Sequence, residues 1–217
     1  MISAAEALGR LERGNHDFVT VRAHERDLSP ERVAALYAYG QSPFAVVVTC
    51  SDSRTVPERM FMMGLGDLFV IRVAGNVVGD VELASVVYAC EHLGVKLVLV
   101  LGHTGCGAVQ ATMEALDAAC AEGATGHVQA GERRAEDAAA PDGQAAGGAG
   151  ALSALVEPIG RAIGAERDPY RASELNVRAG MEKIAGSPDI ARLAKSSGLE
   201  VHGAIYHTHS GEVDFLV

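Results

Sequence analysis

The chain has 217 residues, and 48% of them are apolar, which is enough for the core of one domain or at most two. The net charge of −10 disfavours nucleic acids and anionic membranes as partners, because both attract basic patches. No apolar run reaches the roughly 18 residues that a membrane span needs, and the N-terminus lacks the basic and apolar segments of a secretory signal. These features predict a cytoplasmic protein without a membrane span.

Two helices are predicted before the first strand. Ser3 begins a capping box, which predicts a helix over residues 4–13 with Gly14 as its end. Ser29–Pro30 then predicts the start of a second helix, and Gly40 its end.

Three short apolar runs follow, at residues 44–48, 68–71 and 95–101. They are rich in β-branched residues, which favours buried parallel strands, although the pattern alone does not exclude a buried helix. Residues 81–93 separate the second run from the third and carry apolar side chains at helical spacing. The sequence therefore predicts a βαβ unit with a right-handed crossover.

The second half of the chain contains a segment of unusual composition. Residues 118–150 are mainly Ala and Gly, and too few large apolar side chains are present to offset the entropy of ordering them. We expect an insertion at about 118–150, mobile in its second half, within a single domain that spans residues 1–217. Further helices are predicted at 107–118, 153–163, 173–185 and 188–197, and strands at 199–206 and 212–217.

The four cysteines and one histidine bear on whether the chain binds a metal. A chain of this size without a secretory signal is expected to keep Cys50, Cys90, Cys106 and Cys120 as free thiols. Cys90 lies on the apolar side of a predicted helix and is expected to pack in the core. Cys50 directly follows the first strand, and His103 and Cys106 follow the third, where open α/β sheets place their ligands. Two sulfurs and one nitrogen suit Zn²⁺ and leave a fourth position open.

The shared metal also predicts the order of the strands. Cys50 and His103 reach one ion most easily when their strands are neighbours, so the second strand lies on the far side of the first. We therefore expect an α/β fold with a mainly parallel central sheet of order 2-1-3-4. An antiparallel edge strand completes this sheet, and helices flank it.

Asp52 and Arg54 are candidates to assist a water molecule at the predicted metal site. Two thiolates cancel the charge of a zinc ion, so a water on such a site is less acidified than on a three-histidine site. A nearby hydrogen-bond acceptor is then useful, and Asp52 stands two residues from Cys50. The planar guanidinium of Arg54 suits the task of keeping that carboxylate ionised and oriented.

The paired segments Cys50–Arg54 and His103–Gly107 resemble the beta class of carbonic anhydrases. The resemblance extends over Gly14–Asn15, residues 66–76, 93–97 and 101–102, and the closing segment 203–211. It covers nearly the whole chain except residues 118–150, where the family usually has a shorter connection.

The resemblance implies a zinc-dependent lyase that reversibly hydrates carbon dioxide to bicarbonate and a proton, through attack by zinc-bound hydroxide. It implies one Zn²⁺ per chain on Cys50, His103 and Cys106, with Asp52 and Arg54 as the catalytic dyad. It also implies a homodimer or homotetramer.

The resemblance suggests two further residues for the substrate pocket and one branch of the class. Gln41 resembles a pocket glutamine of the plant-like branch, and Gly107 is a second candidate for substrate contact, although a glycine there also suits close backbone approach. The chain has no Trp, and Val47 stands where the bicarbonate-inhibited branch has one, which favours the plant-like branch.

Two alternatives stay open at this point. Carbonyl sulfide or carbon disulfide is linear like carbon dioxide, and the same site would hydrolyse either of them. The other alternative is a non-catalytic, zinc-stabilised assembly subunit, which the presence of Asp52 and Arg54 disfavours.

Overall fold

The computed structural model describes residues 1–20, 27–125 and 150–216. The helices and strands in these ranges are, in chain order, α1 (Ala4–Val19), α2 (Pro30–Tyr39), β1 (Ala45–Thr49), α3 (Pro57–Met60), β2 (Leu68–Arg72), α4 (Asp80–His92), β3 (Leu97–His103), α5 (Gly107–Thr125), α6 (Ser153–Ile163), α7 (Pro169–Ala185), α8 (Pro188–Ser197), β4 (Glu200–Tyr206) and β5 (Val213–Leu216). A single 3₁₀ turn, Ala74–Asn76, follows β2. No helix in the described ranges is long and apolar enough to cross a membrane.

The five strands form one sheet of order β2-β1-β3-β4-β5. The first four strands are parallel, and β5 pairs antiparallel with β4 at the edge. This confirms the predicted strand order and the predicted antiparallel edge strand. Every residue of β1 and β3 is buried, which explains why both strands appear in the sequence as continuous apolar runs.

Helices cover both faces of the sheet. On one face α1 and α3 pack against the sheet through Leu11, Met60 and Phe61. On the other face α4, α7 and α8 contribute the side chains Val86, Cys90, Val177, Ile184 and Ile190. The predicted packing of Cys90 in the core is thereby confirmed. The class is α/β, and the carboxyl ends of the parallel strands meet at one edge of the sheet.

The prediction that Gly14 ends the first helix is wrong, because α1 continues to Val19. A Cβ atom at Gly14 would lie 1.8 Å from the carbonyl oxygen of Phe61, so only a glycine allows α1 to approach the end of α3 so closely. The next residue uses this approach: the Asn15 side-chain amide donates to the carbonyls of Met60 (3.1 Å) and Gly211 (2.8 Å).

Other boundaries differ in smaller ways. Helix α7 begins at Pro169 rather than at residue 173, because the Asp168 carboxylate accepts the Arg171 N–H at 2.8 Å and caps the helix earlier. The prediction for the second helix is confirmed, since Gly40 ends α2 with a positive φ of 79°. Helix α5 runs on to Thr125, into the Ala/Gly-rich segment. The rest of the predicted insertion, residues 126–149, lies outside the described residues.

Candidate metal centre

Cys50, His103 and Cys106 lie together at the carboxyl edge of the sheet. Cys50 directly follows β1, His103 is the last residue of the neighbouring strand β3, and Cys106 precedes α5. One potential ligand atom from each residue lies within 4.8 Å of the other two, and all three residues are buried. The structure thus brings together the three residues that the sequence offered as metal ligands.

The His103 ring is oriented as a metal-binding imidazole. Its Nδ1 lies 3.0 Å from the carbonyl oxygen of Thr104, so Nδ1–H donates and Nε2 carries the lone pair that a metal would bind. Nε2 is buried and has no hydrogen-bond partner among the residues the structure describes. A buried polar atom without a partner costs about 1–3 kcal/mol, and a metal ion would remove that cost. The donor set therefore fits a soft divalent ion such as Zn²⁺.

The two thiols are electrostatically linked. The pKa of Cys50 lies far below its ordinary value, chiefly because the Cys106 thiol donates a hydrogen bond to its sulfur. The same hydrogen bond, together with burial, raises the pKa of Cys106. The backbone N–H of Gly75 also donates to the Cys50 sulfur, at 3.3 Å. A divalent cation bound by both sulfurs would displace their protons.

Asp52 and Arg54 form a bidentate ion pair beside the cluster. Asp52 Oδ1 accepts the backbone N–H and the Nε–H of Arg54, each at 2.9 Å, and Oδ2 accepts from Nη2 at 2.7 Å. These hydrogen bonds hold the pKa of Asp52 well below its usual range. Arg54 Nη2 also donates to the carbonyl of Gly105 at 3.1 Å, so the arginine links the Cys50–Arg54 and His103–Gly107 segments.

Arg72 supports the Cys50 segment, and sequence reasoning missed this role. Its Nε donates to the Cys50 carbonyl at 3.2 Å and its Nη2 to the Asp52 carbonyl at 2.7 Å. In the sequence Arg72 directly follows the second apolar run, but only the strand register, in which Thr49 is its partner, brings it to the Cys50 segment.

Thr208 supports the His103 segment from the turn between β4 and β5. Its hydroxyl donates to the Thr104 carbonyl at 3.2 Å, and this is the carbonyl that accepts from His103 Nδ1. The Thr208 N–H donates to Thr104 Oγ1 at 3.1 Å, and the Thr104 N–H donates to the carbonyl of Tyr206 at 3.0 Å. The closing hairpin therefore fixes the carbonyl that orients the His103 ring.

The two predicted pocket residues lie in different places. Gly107 begins α5, directly after Cys106, and it is exposed. Gln41 follows α2 and lines a cavity of about 560 Å³ together with Leu36 and Gly66. The described residues that line this cavity do not include a metal ligand. The structure thus places Gly107 next to the cluster and Gln41 at a separate cavity.

The fold and the cluster define the class: an α/β protein that presents a Cys₂His donor set for a soft divalent metal at the carboxyl edge of its sheet. Residues 45–213 match the family model described as carbonic anhydrase. The chain belongs to the carbonic anhydrase family, and its structural relatives place it in the beta class.

The relatives support this assignment in sequence and in structure. The chain is 35% identical to a carbonic anhydrase of Pseudomonas aeruginosa over 203 residues, which cover 88% of this chain and 82% of the relative. It is 45% identical to carbonic anhydrase 2 of Mycobacterium tuberculosis over 107 residues, about half of each chain (49% and 51%). Its fold superposes with a TM-score of 0.65 and 26% identity on a beta-carbonic anhydrase of Sordaria macrospora described as tetrameric, covering 94% and 93% of the two chains.

Proposed function

We propose that this chain catalyses the reversible hydration of carbon dioxide to bicarbonate and a proton. The observation that carries the proposal is the buried Cys50, His103 and Cys106 cluster with the Asp52–Arg54 ion pair beside it. Family membership supports the same reaction.

Cys50, His103 and Cys106 are proposed to hold one Zn²⁺ per chain. When bound, zinc acts as a Lewis acid that lowers the pKa of a coordinated water and so supplies the nucleophile at neutral pH. The protein contributes the orientation of its ligands. The His103 tautomer is set by the Thr104 carbonyl, and the Cys50 sulfur is held by the Gly75 N–H.

Asp52 is proposed to accept a hydrogen bond from the nucleophile or from the hydroxyl of bicarbonate. This role requires an ionised carboxylate, and the Arg54 guanidinium provides for it by occupying both carboxylate oxygens. The same fork fixes the direction of the remaining lone pairs, so the carboxylate is oriented before the substrate arrives. Arg54 is proposed to act through Asp52.

The apolar surroundings of the cluster suit a small apolar substrate. Cys50 and Cys106 pack with Val109, Ile159 and Ala172 in one buried apolar group. Gly107 and Gln41 stay candidates for substrate contact, and the plant-like branch and a cytoplasmic location stay predictions. We further propose a homodimer or homotetramer, which the tetrameric relative from Sordaria macrospora supports.

Stopped-flow carbon dioxide hydration, with zinc content measured on the same samples, tests the proposal. We expect about one zinc per chain in the wild-type protein. In Asp52→Asn we expect zinc to be retained and hydration to fall by roughly 10²-fold or more, the usual loss when one preorganised hydrogen-bonding group is removed from an active site. Asp189→Asn is the matched control, because Asp189 is an exposed aspartate on α8 that also pairs with an arginine.

Full zinc occupancy without hydration between about pH 6 and 9 contradicts the proposal. Turnover of carbonyl sulfide or carbon disulfide by that sample would then support the same site with another substrate. Loss of folding on zinc removal, with all three substrates inert, would support the assembly subunit.

A further inference from the structure

The turn that follows β2 carries a backbone N–H that contacts Cys50. The Gly75 N–H donates to the Cys50 sulfur at 3.3 Å, and this contact is buried. Gly75 lies in the left-handed region, with a φ of 66° and a ψ of 20°, and the next residue, Asn76, has a φ of 44°. A glycine adopts either sign of φ at little cost, so its own backbone preference does not fix the direction of this N–H. Contacts from outside the turn have to fix it.

The peptide group between Gly75 and Asn76 is held at both of its polar atoms. Its N–H, which belongs to Asn76, donates to the carbonyl of Val73 at 3.0 Å. Its carbonyl oxygen, which belongs to Gly75, accepts from Asn176 Nδ2 at 2.7 Å, and this second bond is buried. The first bond is local, whereas the second joins residues that are 101 positions apart in the chain. Asn176 therefore connects the turn to helix α7.

Helix α7 gives this connection a firm support. Asn176 is 5% exposed, and the next residue, Val177, is fully buried in the apolar group that lies between α7 and the sheet. Interiors are close-packed, so a buried side chain on a packed helix has little freedom to move. The Asn176 amide thus holds the Gly75 carbonyl at a fixed place relative to the sheet.

We propose that Asn176 is a positioning residue for the metal centre: it fixes the Gly75 turn and so directs the Gly75 N–H at the Cys50 sulfur. This inference rests on the proposed function, in which Cys50 is a ligand of Zn²⁺. An N–H donor held against a ligating sulfur orients that sulfur and reduces its negative charge. Loss of a contact that orients a ligand weakens metal binding by about 10–100-fold. Asn176 acts one contact further out than Gly75, so we expect the lower end, about tenfold.

NMR of the protein loaded with ¹¹³Cd²⁺ tests this role. Cd²⁺ is a soft ion that suits thiolate ligands, and its nuclear spin couples to protons that are hydrogen-bonded to those ligands. In the wild-type protein we expect a coupling between the cadmium nucleus and the Gly75 amide proton, transmitted through the Cys50 sulfur. This coupling reports the N–H···S contact itself, which a merely structural role of Asn176 would leave unchanged.

Two variants remove the donor. Asn176→Leu keeps the number and branching of the heavy atoms in the side chain, and we expect it to lose the coupling. Its zinc affinity, measured by chelator competition, should fall about tenfold. Asn176→Ala should have the same two effects, and its high helix propensity favours folding if the leucine variant does not fold. Circular dichroism and urea unfolding establish that each variant is folded before the metal is added.

Ser173→Ala is the matched control on the same helix. Ser173 is also buried, but its hydroxyl donates to the Pro169 carbonyl at 2.8 Å, within α7. The substitution therefore removes a buried polar contact of α7 without touching the Gly75 turn. It should leave both the coupling and the zinc affinity unchanged.

The possible failures are distinguishable. A folded Asn176 variant that keeps the coupling and the zinc affinity overturns the inference and leaves the proposed function standing. A cadmium-loaded wild-type protein without the Gly75 coupling has the same consequence. A wild-type protein that binds neither Zn²⁺ nor Cd²⁺ contradicts the proposed function, and the inference with it.

Discussion

Replacing Gly14 by Ala tests the close approach of α1 to the end of α3. In an open helix this substitution is stabilising by about 1 kcal/mol, because Ala has the higher helix propensity. At Gly14 the new Cβ would lie 1.8 Å from the carbonyl oxygen of Phe61, and real Cβ atoms essentially never come closer than 3.0 Å to another heavy atom. The backbone of α1 and the Phe61 carbonyl must therefore move apart by at least the difference, 3.0 − 1.8 = 1.2 Å.

This displacement determines the sign and size of the change in the free energy of unfolding. Inserting a methyl group into a packed interior costs about 1–3 kcal/mol, and a clash with backbone favours the upper end. It also strains the hydrogen bonds from Asn15 to Met60 and Gly211. Because the gain of about 1 kcal/mol in helix propensity offsets part of this cost, we expect Gly14→Ala to lower the free energy of unfolding by about 2 kcal/mol.

Gly9→Ala is the matched control on the same helix. Its Cβ would lie 3.1 Å from the end of the Arg13 side chain, which is exposed and free to move. We expect Gly9→Ala to raise the free energy of unfolding by about 0.5–1 kcal/mol. The assay is urea unfolding of both variants and the wild-type protein at one protomer concentration with zinc present. A Gly14→Ala protein as stable as Gly9→Ala would refute the argument.

Two further predictions concern the supports of the metal centre. Thr208→Val removes the hydroxyl that fixes the carbonyl behind His103, so zinc affinity measured by chelator competition should fall about tenfold, whereas Thr208→Ser should preserve it. Arg54→Gln should raise the pKa of Asp52, because it removes the guanidinium that lowers it. Because the lowered pKa stabilises the folded state only where Asp52 is ionised, the stability advantage of the wild-type protein over Arg54→Gln should be full above about pH 4 and shrink below it. Urea unfolding between pH 3 and 7 measures this difference, and a pH-independent difference would contradict it.

The sheet order was accessible from the sequence because the chemistry constrains it. Two candidate ligands that follow different strands reach one small ion most easily if those strands are neighbours, and this predicted β1 beside β3, as observed. The continuous apolar runs indicated a parallel sheet, because strands that are buried on both faces show no alternation of polar and apolar residues. Sequence patterns thus sufficed to predict those features that depend on local structure or on the proposed shared metal ion.

The supports of the site were not accessible because they depend on tertiary register. Nothing in the sequence distinguishes Gly14 as a close-approach residue from Gly14 as a helix end; the carbonyl of Phe61 decides it. Arg72 lies at a strand end and Thr208 in a turn, and only the tertiary register brings them to the backbone of the Cys50 and His103 segments.

These supports explain how three ligands on separate segments keep one geometry. The Cys50 segment is fastened to β2 through Arg72, and the His103 segment is fastened to the β4–β5 hairpin through Thr208. Both attachments use backbone carbonyls, so they constrain the path of the chain as well as single side chains. The hairpin is fastened in turn to α1, because the side-chain oxygen of Asn15 accepts the Val213 N–H at 3.0 Å. A continuous series of hydrogen bonds therefore connects the contact at Gly14 with the metal centre. For this reason Gly14→Ala should lower zinc affinity as well as stability.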